Sequence, residues 1–212
     1  AYVTVDDAGE NQIMIHGGAN MAFTPADVEA HRDIIETSDF VVAQFESAVD
    51  STVEAFKIAQ AAGVRTILNP APAMEKVPAE LLAVTDMIVP NETETETLTG
   101  IAITDEASML KASAALHALG ISAVIITIGS KGAFYDIDGR HGIVPAFKVE
   151  AVDTTSAGDT FIGAMSSVLN KDFSNLEDAI RYGNRASSIA VQRFGAQPSI
   201  PYKNEITAAE GK

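Results

Sequence analysis

Hydrophobic residues in this sequence occur in short runs that are separated by longer amphipathic segments. The run AVIITI at 123–128 has no polar interruption except Thr127, as expected for a strand buried on both faces. The run FVVAQF at 40–45 predicts a second buried strand. Strands that alternate with helices indicate β-α-β units, so we predict an α/β fold with a parallel sheet covered by helices on both sides.

The same patterning predicts the position of each element, with Pro, Gly and Asp-Gly marking the ends. Thr24 precedes Pro25 and is predicted to cap a helix, and Thr104 is predicted to cap another. Strands are predicted at 2–5, 12–15, 40–45, 66–69, 87–89, 123–128, 132–137 and 143–149. Helices are predicted at 25–37, 51–62, 81–84, 92–98, 105–119, 158–169 and 176–192. The turn 6–9 is expected to join the first two strands into a hairpin.

Composition excludes several classes of function. The net charge is −15 with only 14 Lys and Arg, so the basic face of a nucleic-acid-binding protein is not expected. The sequence has no Cys, which excludes disulfides, thiolate nucleophiles and Cys-based zinc sites. No apolar run approaches the roughly 18 residues of a membrane span. The opening residues are mixed and acidic, and we expect a cytoplasmic protein without a signal peptide.

The stretch VDTTSAGDTFIGAM at 152–165 carries the strongest chemical signal. Its small residues at 156–159 allow a ligand to approach the backbone, and they open a predicted helix whose unpaired N–H groups form an anion hole. Asp159 places a carboxylate beside that hole, where it could take the proton of an attacking hydroxyl. The alternative is that Asp159 only complements the helix N-terminus.

The stretch 153–159 resembles the DTxGAGD signature of the ribokinase (PfkB) family of sugar kinases. The resemblance implies that Asp159 is the general base and that the turn formed by Ser156, Ala157 and Gly158 stabilises the transferring phosphoryl group. Ser156 stands where the family usually has Gly. The implied fold is a three-layer α/β fold with a mostly parallel sheet flanked by helices, plus a small β lid. Residues 1–20 would be the remnant of the lid, and residues 21–212 the domain with the nucleotide and catalytic sites.

Two further segments match family elements for the nucleotide. NETE at 91–94 resembles the NxxE element, which implies that Asn91 and Glu94 organise Mg²⁺, through water, and phosphates; an Asn N-cap is the alternative. TIGSKG at 127–132 resembles the nucleotide loop, although an ordinary turn would look similar. Asn184 matches a position that lines the adenine site, or is an exposed helical Asn. The implied ATP-binding residues are Asn91, Thr127, Gly129, Ser130, Lys131, Gly132, Gly158 and Asn184.

The resemblance also implies an alkali cation behind the anion-hole loop. Asp153 and the carbonyl of Thr155 would bind K⁺ from one side, and the segment 190–199 from the other; an Asx-type turn is the alternative for Asp153. A monovalent ion there would hold the turn whose amides must be preorganised. The implied oxygens in the second segment, mostly main-chain carbonyls, belong to Ala190, Arg193, Gly195 and Ser199.

The sugar side of the resemblance points to D-ribose. Glu46 ends the FVVAQF strand, where the family has a Glu that hydrogen-bonds a sugar hydroxyl, and Asp159 would contact the same substrate. NPAPA at 69–73 and GAQPS at 195–199 look specific to the ribokinase branch. The sequence has no GxxxxGK[ST] motif, which disfavours a P-loop kinase.

The resemblance implies ATP-dependent phosphorylation of D-ribose at its 5-hydroxyl, with Mg²⁺ and K⁺. The alternatives are another sugar, nucleoside or vitamin alcohol as acceptor, or a truncated nucleotide-binding module without activity. The family's N-terminal third, which carries strands of the sheet and most of the sugar site, has no counterpart in this sequence, so we expect a fragment or processed chain. We also expect an open strand edge that favours self-association, and a homodimer for the full-length protein.

Overall fold

A computed structural model describes residues 2–5 and 11–210 of the chain. The first element is a two-stranded antiparallel sheet of β1 (Tyr2–Val5) and β2 (Asn11–Met14), in which Tyr2 lies opposite Met14. The predicted pairing of these two segments is therefore confirmed. The turn predicted at 6–9 lies outside the described residues.

The main sheet has six strands, and their order in space follows their order in the chain. The first four pair in parallel, and the last two are antiparallel. The predicted α/β class and mostly parallel sheet are therefore confirmed. The strands are β3 (Phe40–Ala43), β4 (Arg65–Leu68), β5 (Met87–Ile88), β6 (Ala123–Thr127), β7 (Ala133–Ile137) and β8 (Arg140–Val144).

Helices fill most of the connections between these strands. The α-helices are α1 (Ala19–Ala22), α2 (Pro25–Glu29), α3 (Arg32–Glu36), α4 (Val49–Ala61), α5 (Ala79–Leu82), α6 (Glu92–Thr99), α7 (Glu106–His117), α8 (Ala157–Val168), α9 (Leu176–Ala190) and α10 (Lys203–Glu210). Short 3₁₀ turns occupy Gly129–Lys131 and Gln197–Ser199. No helix in the described part of the chain has the length and apolar character needed to cross a bilayer.

Several predicted boundaries differ from those of the structure, and two of the differences have a local reason. The helix predicted at 25–37 begins at Pro25 after the Thr24 cap, as expected, but is split into α2 and α3. The break occurs because the His31 ring contacts the Asp27 carbonyl at 2.8 Å and the His31 backbone leaves helical geometry. The cap of α7 is Asp105 rather than Thr104, because Ser108 and Asp105 form a reciprocal capping box. The last strand ends at Val144 rather than continuing to 149.

The core has two layers, one on each face of the main sheet. Strand β6 contributes to both: Ala123 and Ile125 pack towards α8 and α9, whereas Val124 and Ile126 pack towards α4 and α7. All four side chains are fully buried, which confirms the burial predicted for this strand on both faces.

Strand β3 forms one edge of the main sheet and is less buried than predicted. In the described structure it pairs only with β4. Val41 and Ala43 pack towards α4, and Phe40 stacks on Phe173 with ring centroids 6.4 Å apart, but Val42 is 45% exposed. The prediction of a buried strand was therefore wrong for Val42, since no described element covers this part of the sheet.

Candidate active site

The N-terminus of α8 forms the centre of the candidate site. Its N-cap is Ser156, which adopts a left-handed conformation with φ 59° and makes no side-chain capping bond. The Ala157 N–H donates to the Thr154 carbonyl at 3.2 Å. Among the described residues, the N–H groups of Gly158 and Asp159 have no acceptor. These two amides, at the positive end of the helix dipole, are therefore available to an anionic ligand.

Asp159 lies in the first turn of α8, beside these amides. Its side chain is exposed, and within the described structure its carboxylate accepts no hydrogen bond. The carboxylate makes no capping bond either, so the structure gives it no local partner that would explain its position. A solvent-facing carboxylate at an open helix N-terminus is able to accept a proton from a nearby hydroxyl.

Asp153 fastens the loop in front of α8 to a distant segment. One carboxylate oxygen accepts the N–H of Thr155 at 2.9 Å, the bond of an Asx-type turn, and the other accepts the N–H of Gly195 at 2.9 Å. These hydrogen bonds lower the pKa of Asp153 below its ordinary value, and the bond from the Gly195 N–H has the largest effect. The structure therefore brings Asp153 to Gly195 of the 190–199 segment and shows the Asx-type turn considered as the alternative, while cation binding there stays a prediction.

The carbonyl oxygens predicted to bind an alkali cation differ in their present partners. In the described structure the carbonyls of Thr155 and Gly195 accept no hydrogen bond, and the same is true of the Arg193 carbonyl. The Ala190 carbonyl accepts the Arg193 N–H at 2.9 Å, and the Ser199 carbonyl lies 3.5 Å from Nη1 of Arg193. Unpaired carbonyls beside a carboxylate are the oxygen ligands that a hard cation requires, so the donor set fits a monovalent ion.

Ser187 is a contributor that the sequence did not reveal. Its hydroxyl donates to the Ala157 carbonyl at 2.6 Å and so connects α9 to the first residue of α8. The close approach of these helices depends on Gly183, because a Cβ there would lie 2.8 Å from Cδ2 of Phe161. Ser187 lies three residues after Asn184 on the same helix, but no local pattern in the sequence indicates its bond to Ala157.

Asn91 and Glu94 form a reciprocal capping box at the start of α6. The Asn91 side chain accepts the Glu94 N–H at 2.8 Å, and the Glu94 carboxylate accepts both the N–H and the amide group of Asn91. Burial raises the pKa of Glu94. No group of three or more His, Asp or Glu side chains suited to a metal occurs among the described residues. In the described structure the two side chains therefore form the helix N-cap that the sequence offered as the alternative, and their contact with Mg²⁺ stays a prediction.

The predicted nucleotide loop follows β6 directly and lies next to Asn91. The Thr127 N–H donates to the Pro90 carbonyl at 2.9 Å, so the loop starts beside the α6 cap. Gly129, Ser130 and Lys131 are exposed, whereas Gly132 is buried. A Cβ on Gly132 would lie 2.1 Å from the Val144 carbonyl oxygen, at a φ of +114°. The loop thus has three exposed residues at 129–131, and its fourth residue, Gly132, packs closely against the backbone of β8.

Asn184 is buried rather than exposed, unlike the alternative considered from the sequence. Its amide group donates to the carbonyls of Val144 at 3.0 Å and Pro145 at 3.2 Å. It therefore holds the segment after β8 against α9, beside the loop that Gly132 anchors.

Glu46 lies apart from these elements, just beyond the end of β3. Its side chain is exposed, and its N–H is hydrogen-bonded to the Gln44 side chain. The Phe45 N–H donates to the Ala71 carbonyl at 2.8 Å, which places the NPAPA segment beside Glu46. Both lie at the carboxyl ends of parallel strands, where ligands bind in open α/β sheets.

Comparison with known proteins decides the family. Residues 1–203 match the profile of the pfkB family carbohydrate kinases. The chain belongs to this family. The pfkB assignment confirms the resemblance of the 153–159 motif and the predicted fold.

Relatives within the family are much longer than this chain. The chain is 52% identical over 206 residues to the bifunctional ribokinase/ribose-5-phosphate isomerase A of Fructilactobacillus sanfranciscensis. The aligned region covers 97% of this chain and 38% of that protein. It is 50% identical to the ribokinase of Staphylococcus aureus, with 97% of the chain and 67% of the relative covered. The Arabidopsis thaliana ribokinase, solved with ribose and ATP, superposes with a TM-score of 0.90 at 32% identity and covers 97% of this chain and 67% of that one.

Proposed function

We propose that this pfkB-family chain carries the catalytic machinery that transfers the γ-phosphoryl group of ATP to the 5-hydroxyl of D-ribose. The observation that carries the proposal is the unpartnered carboxylate of Asp159 beside two unpaired amides at the start of α8. A proton acceptor next to a pair of free N–H donors is what phosphoryl transfer to a hydroxyl requires.

In the proposed reaction, the Asp159 carboxylate accepts the proton of the 5-hydroxyl as its oxygen attacks the γ-phosphorus. A new P–O bond to the sugar forms while the bond between the γ-phosphorus and ADP breaks. The N–H groups of Gly158 and Asp159 donate to the oxygens of the transferring phosphoryl group. They stabilise the negative charge that these oxygens carry in the transition state. Ser187 and Asp153 position this turn through the Ala157 carbonyl and Gly195, so the donors are preorganised.

Two metal ions belong to the proposal. Mg²⁺, near Asn91 and Glu94 and bound through water, would neutralise charge on the nucleotide phosphates. K⁺ would lie between the loop of Asp153 and Thr155 and the segment 190–199, with the unpaired carbonyls of Arg193 and Gly195 among its ligands. Mg²⁺ would thus orient the nucleotide phosphates and K⁺ would hold the loop in front of α8. Asp159 remains the proton acceptor.

The choice of D-ribose rests on Glu46, on the NPAPA and GAQPS segments, and on the relatives, two of which are named ribokinases. Asn184, Thr127 and the exposed residues of the 129–131 loop are assigned to ATP. By the same resemblance we propose a cytoplasmic location, and a homodimer for the full-length protein.

Turnover with ATP, D-ribose, Mg²⁺ and K⁺ tests the proposal, with ³¹P NMR to identify the product and intact mass to confirm the chain. Formation of ribose 5-phosphate is the expected result. Phosphorylation of a nucleoside or another sugar in preference to ribose would instead support a different acceptor within the family.

A nucleotide-binding module without sugar turnover is the second candidate. It is favoured by the short span of this chain relative to its relatives and by the open edge of β3 beside Glu46. Calorimetric binding of ATP without product would support this candidate, whereas absence of both binding and turnover would contradict both functions.

A further inference from the structure

Arg185 on α9 is a cation without a counterion. Its Cζ lies 3.4 Å from the centroid of the Phe147 ring. Its Nε is buried and has no hydrogen-bond partner, and no carboxylate in the described structure forms an ion pair with it. The residue is only partly exposed. Every other Lys or Arg in the described part of the chain either forms an ion pair or has an exposed side chain.

An arrangement of this kind is unusual in a chain with a net charge of −15, where carboxylates greatly outnumber cations. The Phe147 ring stabilises one face of the guanidinium, but the N–H groups radiate in its plane and still require acceptors. A buried donor left without an acceptor is costly, so such groups commonly mark a place where water or a ligand completes the hydrogen bonding.

The surroundings of Arg185 identify the ligand class. Its neighbour Asn184 binds the Val144 and Pro145 carbonyls, and the same segment continues to Phe147. The predicted nucleotide loop touches this segment at Gly132, and the Ala146 N–H lies 3.4 Å from the Lys131 carbonyl. The guanidinium is therefore linked through one short segment to the loop assigned to ATP, and a guanidinium is well matched to the phosphate oxygens of a nucleotide.

We propose that Arg185 is a phosphate-binding residue whose ligand is a nucleoside polyphosphate. The Phe147 ring orients the guanidinium, and the guanidinium N–H groups donate to a phosphate oxygen of the bound nucleotide. This inference rests on the proposed function, because it assigns Arg185 to the same nucleotide site. It adds a phosphate contact that neither the nucleotide loop at 127–132 nor the N–H groups at the start of α8 provide.

Calorimetric titration of the whole chain with ATP and with adenosine tests the assignment. In Arg185→Met we expect the Kd for ATP to rise by about tenfold or more, the typical loss for a hydrogen bond to a charged group, while the Kd for adenosine stays unchanged. Arg185→Lys keeps the charge and is expected to recover part of the affinity. Arg181→Met is the matched control, since Arg181 lies on the same helix, pairs with Asp178 and is exposed.

Each outcome decides the assignment. Equal weakening of ATP and adenosine would indicate a structural role for Arg185, and unchanged ATP binding would exclude a phosphate contact; either result overturns this inference alone. Arg185→Gln provides a second uncharged variant if Arg185→Met does not fold, as checked by circular dichroism. Failure of the unaltered chain to bind ATP would overturn the proposed function as well.

Discussion

Strands β6 and β3 of the main sheet differ in how completely they are enclosed. Strand β6 lies inside the sheet, with neighbours on both sides and helices on both faces, and its side chains at 123–126 are fully buried. Strand β3 lies at one edge, has one neighbouring strand and leaves Val42 45% exposed. Asn91 and the loop assigned to the nucleotide follow the interior strands β5 and β6, whereas Glu46, assigned to the sugar, follows the edge strand β3. The fold therefore supports the two halves of the proposed reaction unequally.

The two outer strands also differ in chemistry. The outer strand β8 carries exposed Arg140 and His141, which discourage pairing with another chain. The outer strand β3 consists of Phe, Val, Val and Ala and has no charge to protect it. This difference accords with longer relatives, of which the chain covers 38% and 67% in the two cases described. Self-association through the β3 edge stays a prediction.

The largest expected effect concerns Asp159, the proposed proton acceptor at the start of α8. Asp159→Asn should lower kcat for phosphoryl transfer by about 10²–10⁴-fold, because the amide cannot accept the hydroxyl proton. ATP binding, measured by calorimetry, should persist. Asp178→Asn is the matched control, since Asp178 also lies in the first turn of a helix, in α9. Equal activity of Asp159→Asn and the unaltered chain would remove Asp159 from the mechanism.

The second prediction compares the stability contributed by the interior strand β6 with that contributed by the edge strand β3. Ile125→Ala in β6 should lower the free energy of unfolding by about 2–5 kcal/mol, because Ile125 is fully buried. Val42→Ala in β3 should lower it by about 0.5 kcal/mol or less, because nearly half of the Val42 side chain is exposed. Urea unfolding of both variants measures the difference. A loss at Val42 as large as that at Ile125 would mean that the β3 edge is covered in solution.

The third prediction concerns the anchor of the nucleotide loop. Gly132→Ala should lower the free energy of unfolding by at least about 2 kcal/mol, since the added Cβ meets the Val144 carbonyl and φ is positive. Gly139→Ala is the matched control, because Gly139 also has positive φ but nothing lies within 4 Å of its Cβ position. That variant should lose only about 1 kcal/mol. Equal losses in urea unfolding would contradict the proposed contact with β8.

The smallest expected effect is a pH dependence. Because hydrogen bonds from Gly195 and Thr155 lower the pKa of Asp153 in the folded state, its ionised form stabilises the fold above the unfolded pKa. That contribution should disappear as the pH falls through the folded pKa, below about pH 4. Asp153→Asn should therefore lose Tm less steeply in this acid range than the unaltered chain. Identical acid profiles would show that the Asp153 bonds do not form in solution.

The sequence by itself determined the class of fold and the family to which the 153–159 motif points. A continuous apolar run such as 123–126 is typical of a strand covered on both faces of an α/β sheet, so its composition is informative without coordinates. The Thr24–Pro25 helix start was predicted correctly because capping is a local interaction between residues three apart. The DTTSAGD stretch likewise combines local features, small residues and a helix start, which explains why it could be recognised in a single sequence.

Tertiary structure alone decided which groups in the site are already paired. The bond from Gly195 to Asp153 and that from Ser187 to Ala157 join residues that are far apart in the chain, so no local pattern indicates them. Tertiary packing also left Arg185 without a counterion in the described part of the chain. The exposure of Val42 has the same origin, since burial depends on what covers a strand, and an apolar sequence cannot specify whether a neighbour is present.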